Sequence, residues 1–288
     1  MNLYSTMGVI NLTPNSFSDG NQYYDPESFA TRFNQACSDF DIIDLGAEST
    51  APFNDPVSIS EELKRFETLF FPLLKNTSDP QITLSIDTYK IDVFKTVLME
   101  VKKYWPKTTV IFNDVSGCID QELINIMQTD LAFSYVYSHN LCPSRSETSH
   151  HMKYTTQDEI VSSVHEFFRD GLSTLNEFNR PIYIDPCFGF SKTRTQNHTL
   201  LVNIEKAIAG LKYYESLLIG ISRKSFLRFP RECDLTQIQN QKTIDCLSSH
   251  IYRDLLHKFS NQNLIFRVHD LTALNALTHY QSIHKLAT

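Results

Sequence analysis

The segment Thr109-Val-Ile-Phe-Asn-Asp114 decides the fold, because it is an apolar run too short for a helix that ends in polar residues. Near-continuous apolar character marks a strand buried on both faces, as in a parallel sheet. Seven similar runs are Leu3 to Asn11, Asp41 to Gly46, Ile82 to Asp87, Phe133 to Ser138, Pro181 to Pro186, Leu217 to Ser222 and Leu264 to His269. The chain is therefore predicted to contain eight buried strands.

Helical patterns fill the intervals between these strands, and three of them begin with capping signals. The three are Asp25 before Pro26, Ser58 with Glu61, and Thr156 with Glu159. Further helices are expected around 90–104, 120–128, 199–211, 241–259 and 270–287. The segment 143–156, after the fifth strand, is the most loop-like stretch of the chain, and the doublet of His150 and His151 within it is interpreted as part of a solvated loop.

Eight strands that alternate with helices predict a (β/α)8 TIM barrel, formed by residues 1–288 as a single domain. The length of 288 residues suits one such barrel. A doubly wound sheet is the alternative, but it accommodates six strands and leaves two over.

The composition favours an ordinary globular enzyme and sets limits on its partners. Hydrophobic residues make up 41% and charged residues 20% of the chain, and the formal net charge is −7. A nucleic-acid partner is not expected, because phosphate-binding surfaces are usually basic. The sequence shows no secretory signal, no apolar run near the ~20 residues that span a bilayer and no closely paired cysteines. The protein is therefore expected to be cytoplasmic and not to bind a membrane. A metal pair of His139 and Cys142 is weighed, but two further ligands are not evident.

Polar residues follow every predicted strand, where the fold places its active site. They are Asn11, Asp44, Asp87, Asn113, Asp114, His139, Asp185, Ser222 to Lys224, Arg267 and His269. One polar strand end is more simply read as a helix cap. Eight of them converging on one mouth indicate a binding site.

The residue types at this mouth suggest the chemistry of a ligand. Carboxylates at Asp87 and Asp185 can accept paired N–H donors from a flat heterocycle. Cationic donors suited to carbonyl or phosphate oxygens are Arg223, Lys224, Arg267 and His269. An anionic ligand with an aromatic, amidine-like edge is therefore expected.

Several motifs resemble those of dihydropteroate synthases, in family order and over nearly the whole chain. They are Met7-Gly-Val-Ile-Asn-Leu-Thr-Pro-Asn-Ser-Phe-Ser-Asp-Gly20, Asp44-Leu-Gly-Ala-Glu-Ser-Thr50, Ser85-Ile-Asp-Thr-Tyr-Lys90, Asn113-Asp-Val-Ser-Gly117, Ile184-Asp-Pro-Cys-Phe-Gly-Phe190, Ser222-Arg-Lys-Ser-Phe226 and Arg267-Val-His-Asp270. The resemblance implies a transferase of folate biosynthesis that joins 6-hydroxymethyl-7,8-dihydropterin diphosphate to 4-aminobenzoate. It also implies a homodimer, a Mg2+ ion and inhibition by sulfonamides.

The resemblance further implies roles for individual residues. Asp185 and Asn113 would hold the amino-pyrimidine edge of the pterin, with Asp87 opposite and Lys224 on the ring acceptors. The diphosphate would be held by Asn11, Arg267 and His269, with Asn11 near the Mg2+ ion. The 4-aminobenzoate position would be bordered by Thr50, Phe190 and Ser222, and Arg223 is counted among the substrate-binding residues. Lys224→Ala and Arg267→Ala are expected to reduce turnover far more than fold stability.

Some positions depart from the family pattern. Ala51 stands where an arginine is usual after Ser-Thr, and Cys187 and Ser191 replace glycines. Residues 138–140 read Ser-His-Asn where Met-His-Met is common, and 242–246 do not match. Two alternatives therefore stay open. A pterin-binding homologue without catalysis is one. A pterin-dependent methyltransferase is the other, although it would not need the motifs at Ser222 and Arg267.

Overall fold

The computed structural model of the protein describes residues 4–13, 25–49, 55–228, 241–275 and 277, with the backbone alone for 241 and 242. Eight parallel strands form a closed barrel in chain order, each hydrogen-bonded to the next and β8 to β1. They are β1 Tyr4–Asn11, β2 Ile42–Gly46, β3 Thr83–Asp87, β4 Thr109–Asp114, β5 Ser134–Ser138, β6 Ile182–Asp185, β7 Ser216–Ile219 and β8 Asn263–Val268. The predicted TIM barrel is confirmed.

Side chains alternate along each strand between the barrel axis and the surrounding helices. A small apolar cluster fills the axis, with one residue from most strands: Met7, Ile42, Ile111, Val136, Leu218 and Ile265, with Tyr183 packed against them. The other strand face joins the large core shared with the helices. The axis cluster therefore identifies which residues of a strand point inward.

Helices cover the outside of the barrel. Their bounds are α1 Pro26–Asp39, α2 Ile59–Asn76, α3 Ile91–Tyr104, α4 Gln121–Met127, α5 Ile160–Leu175, α6 Arg194–Val202, α7 Ile204–Ile208 and α8 Gln241–Lys258. Asp25 caps α1 through the N–H groups of Glu27 and Ser28, as predicted. Ser58 caps α2 by accepting from the N–H of Glu61. None of the described helices is long and apolar enough to cross a membrane.

Three predictions of local structure are corrected by the structure. Glu159, rather than Thr156, caps α5, because its own carboxylate accepts from the N–H of Ser162. The expected helix over 199–211 is two helices, α6 and α7, which meet at Asn203. The loop expected over 143–156 contains a 3-10 helix at Arg145–Lys153. Of the helix expected over 270–287, the described part begins with a 3-10 turn at Leu271–Leu274 and is helical at 275 and 277, and the remaining residues lie outside the described part of the chain.

Candidate active site

A cavity of about 370 Å³ opens at the carboxyl ends of the strands. Ten of the predicted site residues line it: Asn11, Asp87, Asn113, Asp185, Phe190, Ser222, Arg223, Lys224, Arg267 and His269. Thr50 and Ala51 lie outside the described residues. A larger surface cleft of about 530 Å³ runs between α5 and α7, but it lies away from the strand ends. The polar residues that follow the strands thus meet at the mouth of the barrel, as predicted.

Arg267 forms the central ion pairs of this cavity. Its Nε donates to Oδ2 of Asp44 at 2.7 Å, and its Nη2 donates to Oδ2 of Asp87 at 2.6 Å. Burial raises the pKa of Asp87 to about 7, and the guanidinium of Arg267 opposes that rise. The charge of Asp44 adds to the rise because two carboxylates share one guanidinium. The carboxyl group of Asp87 is therefore expected to titrate near neutral pH.

Asn113 and Asp185 present acceptor atoms to the cavity. Nδ2 of Asn113 donates to Oδ1 of Asp44 at 3.1 Å, while its buried Oδ1 has no partner among the described residues. Oδ1 of Asp185 accepts from the N–H of Cys187 at 2.7 Å, and burial raises the pKa of Asp185. Because buried polar groups are normally hydrogen-bonded, the open oxygen of Asn113 marks a place for a ligand donor.

Phe190 lies between two cationic or aromatic neighbours. The ring of His151 stacks on it with centroids 4.1 Å apart, and Nζ of Lys224 lies 4.9 Å from its centroid. Burial lowers the pKa of Lys224. His151 is only 1% exposed, so the interpretation of this histidine as part of a solvated loop is wrong. Its contact with a residue 39 positions away is what removes it from solvent.

His269 and Ser222 form the other wall, beside Arg223 at the rim. Nδ1 of His269 lies 3.3 Å from Oγ of Ser222. Burial, helped by the charge of Arg267, lowers the pKa of His269 to about 3. The expectation of a cationic donor at this position is thereby corrected: His269 is a neutral donor or acceptor at neutral pH. Arg223 is exposed, with Nε 3.9 Å from Oδ1 of Asp245.

Lys192 was not predicted as a functional residue, yet it organises the loop that carries Phe190. Its Nζ donates to the carbonyls of His139, Cys187 and Phe190 at 3.1, 3.2 and 3.0 Å. Burial lowers its pKa to about 8. Cys187 and Ser191 adopt positive φ angles of 52° and 49°, so the loop keeps a backbone that favours glycine although both glycines are replaced. The only feature of the sequence that pointed to Lys192 was the Gly-Phe-Ser-Lys stretch at 189–192.

Asp114, named with Asn113 as a candidate, points away from the axis. Its Oδ2 accepts from Nη1 of Arg145 at 2.7 Å and from the hydroxyl of Tyr135 at 3.0 Å. Asp114 is therefore a structural anchor for the segment that follows β5. Likewise, His139 packs on the ring of Phe167 at 4.8 Å. The described residues contain no group of three His, Cys, Asp or Glu side chains suited to a metal.

A second network joins the segments that follow β2 and β3 beside the cavity. Glu48, which lines the cavity, accepts from the hydroxyl of Tyr89 at 3.0 Å and from Nζ of Lys90. The same Nζ donates to the fully buried Glu62 at 2.7 Å. These contacts fix Glu48, which lies two positions before Thr50. The network was not predicted from the sequence.

Comparisons with known proteins agree with this geometry. A family model described as "pterin binding enzyme" matches residues 7–269. The chain is 32% identical over 239 residues to the mitochondrial folate synthesis bifunctional protein of Pisum sativum, and the match covers 77% of this chain and 43% of that protein. It is 28% identical over 226 residues to dihydropteroate synthase type-3 of Escherichia coli, covering 76% and 80%. The structure of Xanthomonas albilineans dihydropteroate synthase with 4-aminobenzoic acid superposes with a TM-score of 0.74 at 26% identity, over 97% and 93% of the chains.

Proposed function

We propose that this chain, which belongs to the pterin-binding enzyme family, is a dihydropteroate synthase. It would condense 6-hydroxymethyl-7,8-dihydropterin diphosphate with 4-aminobenzoate to give 7,8-dihydropteroate and pyrophosphate. One observation carries the proposal. A single cavity is lined both by the acceptors of Asn113 and Asp185 and by the cations Lys224 and Arg267. That distribution matches a neutral heterocycle that bears an anionic leaving group.

The carboxylates account for the bond-breaking half of the reaction. When the bond between the methylene carbon and the diphosphate oxygen breaks, both electrons leave with pyrophosphate and positive charge spreads over the pterin. Asp87 and Asp185 stabilise that charge, and both are fixed in advance, by Arg267 and by the N–H of Cys187. Charged groups that are already held in position need not reorient when the bond breaks. Their electrostatic stabilisation of the transition state is therefore large, above all in a cavity that excludes water.

The cationic side serves the leaving group. Nη1 of Arg267 makes no hydrogen bond within the described part of the chain, and Lys224 makes no ion pair there. Both can therefore donate to oxygens of the ligand. The neutral His269 adds one more donor or acceptor beside Ser222. The amine nitrogen of 4-aminobenzoate then forms the new C–N bond and releases one proton.

We also propose a Mg2+ ion at Asn11. Mg2+ is commonly held by one or two protein oxygens together with substrate phosphates and water, and Asn11 offers an amide oxygen at the cavity wall. When bound there with the diphosphate, the ion would neutralise charge on the leaving group. The family resemblance supports a homodimer. The five described cysteines are free thiols, which supports a cytoplasmic location.

The test is pyrophosphate release from the pterin diphosphate with Mg2+, with and without 4-aminobenzoate. Release that depends on 4-aminobenzoate is expected. Binding of the pterin diphosphate without release would contradict the proposal and favour a pterin-binding homologue without catalysis. Light scattering on the purified protein tests the dimer.

A further inference from the structure

His151 lines the cavity, although it comes from the 3-10 helix after β5 and not from a strand end. Its ring stacks on the ring of Phe190, with centroids 4.1 Å apart and planes inclined by 26°. Phe190 belongs to the loop after β6 and lines the same cavity. The stacked pair is therefore part of the surface that a ligand in this cavity meets.

Ser191, the residue after Phe190, holds the edge of the His151 ring. Its N–H donates to Nδ1 of His151 at 3.4 Å, and its Oγ lies 3.2 Å from the carbonyl oxygen of His151. The same Oγ accepts from the N–H of Leu141 at 3.1 Å. A hydrogen bond at one ring nitrogen and a stack on one ring face together define the orientation of the imidazole.

The segment that carries His151 is itself anchored by buried ion pairs. Nη1 of Arg145, at the start of the 3-10 helix, donates to Oδ2 of Asp114 at 2.7 Å, and its Nε donates to Oδ2 of Asp120 at 3.0 Å. Only 8% of Arg145 is exposed, so solvent screens these charges weakly. The imidazole is thus carried by a fixed support.

The contacts of Phe190 divide between its backbone and its ring. Lys192 binds the carbonyl of Phe190, which fixes the backbone but leaves the rotation of the side chain open. The stack on His151 acts on the ring itself. An aromatic pair of this kind contributes about 0.5–1.5 kcal/mol beyond the area that it buries. The orientation of the Phe190 ring therefore depends on His151.

The surroundings of Phe190 indicate which ligand this wall receives. With Tyr89, Val115 and Cys187 it forms a small apolar cluster apart from the main core. Nζ of Lys224 lies 4.9 Å from the centroid of the Phe190 ring. An apolar wall beside a cation suits a flat ring that bears a carboxylate, as 4-aminobenzoate does. The amide and carboxylate acceptors elsewhere in the cavity suit the polar edge of the pterin instead.

We propose that His151 is a positioning residue, whose ring holds the side chain of Phe190 in the orientation that receives the ring of 4-aminobenzoate. This inference rests on the proposed function, because it concerns the second substrate of the same reaction. His151 acts on the binding of that substrate and not on the departure of pyrophosphate. Its loss should therefore change the KM for 4-aminobenzoate and leave kcat and the KM for the pterin diphosphate unchanged.

Two substitutions separate the stack from the hydrogen bond. His151→Phe keeps an aromatic ring and removes the acceptor of the Ser191 N–H, whereas His151→Asn keeps a side-chain acceptor and removes the aromatic ring. His151→Ala removes both. His150→Ala is the matched control, because His150 is the preceding residue of the same 3-10 helix and is exposed.

The experiment measures pyrophosphate release with Mg2+ while each substrate is varied in turn, alongside the ligand-free melting temperature of each variant. We expect His151→Ala and His151→Asn to raise the KM for 4-aminobenzoate about 3- to 10-fold, as for one lost aromatic pair. Their kcat and their KM for the pterin diphosphate should stay within about 2-fold of the wild type, since those report interactions made elsewhere in the cavity. His151→Phe should restore the KM for 4-aminobenzoate, and His150→Ala should resemble the wild type.

Three results in an active protein would overturn the inference and leave the proposed function standing. One is an unchanged KM for 4-aminobenzoate in His151→Asn. Another is a KM raised in His151→Phe but not in His151→Asn, which would assign the effect to the hydrogen bond with Ser191. The third is a lower kcat and a rise in both KM values in step with a lower melting temperature, which would make His151 structural. If His151→Ala does not fold, the contrast between the Phe and Asn variants decides. A wild type without release that depends on 4-aminobenzoate would reject the proposed function and this inference together.

Discussion

Nη2 of Arg267 lies 2.6 Å from Oδ2 of Asp87, although 180 positions separate the two residues along the chain. Arg267 comes from β8 and Asp87 from β3, with β1 and β2 between them in the barrel. The same guanidinium also binds Asp44. One cation therefore holds two carboxylates in place at the mouth of the barrel, which ties the geometry of the cavity to the stability of the fold.

Arg267→Ala should lower stability substantially as well as activity, whereas the sequence alone predicts a far greater loss of turnover than of fold stability. Removing the guanidinium leaves Asp44 and Asp87 uncompensated in a buried place, which costs about 3 kcal/mol of unfolding free energy. Urea denaturation measures this loss. Arg267→Ala with Asp44→Asn should regain part of it, because one buried charge is then gone. Arg169→Ala, which removes an exposed pair, should change little.

Lys224→Ala should lower kcat/KM about 100-fold or more and leave the unfolding free energy nearly unchanged. The side chain is half-buried and makes no ion pair in the described part of the chain, so the fold gains little from the ammonium. Its loss removes a fixed donor at the site of reaction. Steady-state kinetics and thermal melts measure the two effects, and Lys206→Ala on α7 is the control. A parallel loss of stability and activity would make Lys224 structural.

Activity should rise with pH through about 7, because Asp87 acts as an ionised carboxylate and its pKa is raised to about 7. The same shift has the opposite sign for stability. A group whose pKa is raised in the folded state stabilises the protein at low pH, and that contribution is lost as pH rises through about 7. Profiles of kcat/KM and of unfolding from pH 5 to 9 measure both. Asp87→Asn should remove the pH dependence near 7 from both the kcat/KM profile and the unfolding profile. His269, with a pKa near 3, does not titrate between pH 5 and 9 and so contributes to neither profile.

Lys192→Met should destabilise the protein by about 2 kcal/mol and raise the KM for 4-aminobenzoate. The change leaves the carbonyls of His139, Cys187 and Phe190 without their shared donor, and the loop that carries Phe190 loses its anchor. Urea unfolding and kinetics with varied 4-aminobenzoate measure the two effects. Lys64→Met on the exposed face of α2 is the control. An unchanged KM in Lys192→Met would show that Phe190 is placed by other contacts.

Sulfonamides should compete with 4-aminobenzoate, because they share its flat aromatic amine. We expect the KM for 4-aminobenzoate to rise with sulfonamide concentration while kcat stays constant. Phe190→Ala should weaken both ligands together, since its ring borders the proposed position. Full turnover at high sulfonamide concentration would show that this second pocket is built differently from the family resemblance.

The barrel and its mouth were predictable from the sequence for one physical reason. Short apolar runs that alternate with helical patterns favour buried strands, and parallel strands place all their carboxyl ends at one end of a barrel. Polar residues that follow such runs must therefore meet. The strand bounds and the ten cavity residues agree with that reasoning.

The orientation of neighbouring polar residues could not be predicted in this way. Asn113 and Asp114 are adjacent and so point to opposite faces, but a strand that is apolar on both faces does not reveal which face is the axis. The structure directs Asn113 into the cavity and pairs Asp114 with Arg145.

Contacts between distant segments were likewise beyond the sequence. The sequence of this protein determined the barrel and the composition of its mouth through local periodicity. Only the tertiary structure decided that His151 is buried against Phe190 and that Lys192 gathers three carbonyls. Burial and hydrogen-bond partners depend on which segments meet in space, and no pattern along the chain encodes that distance.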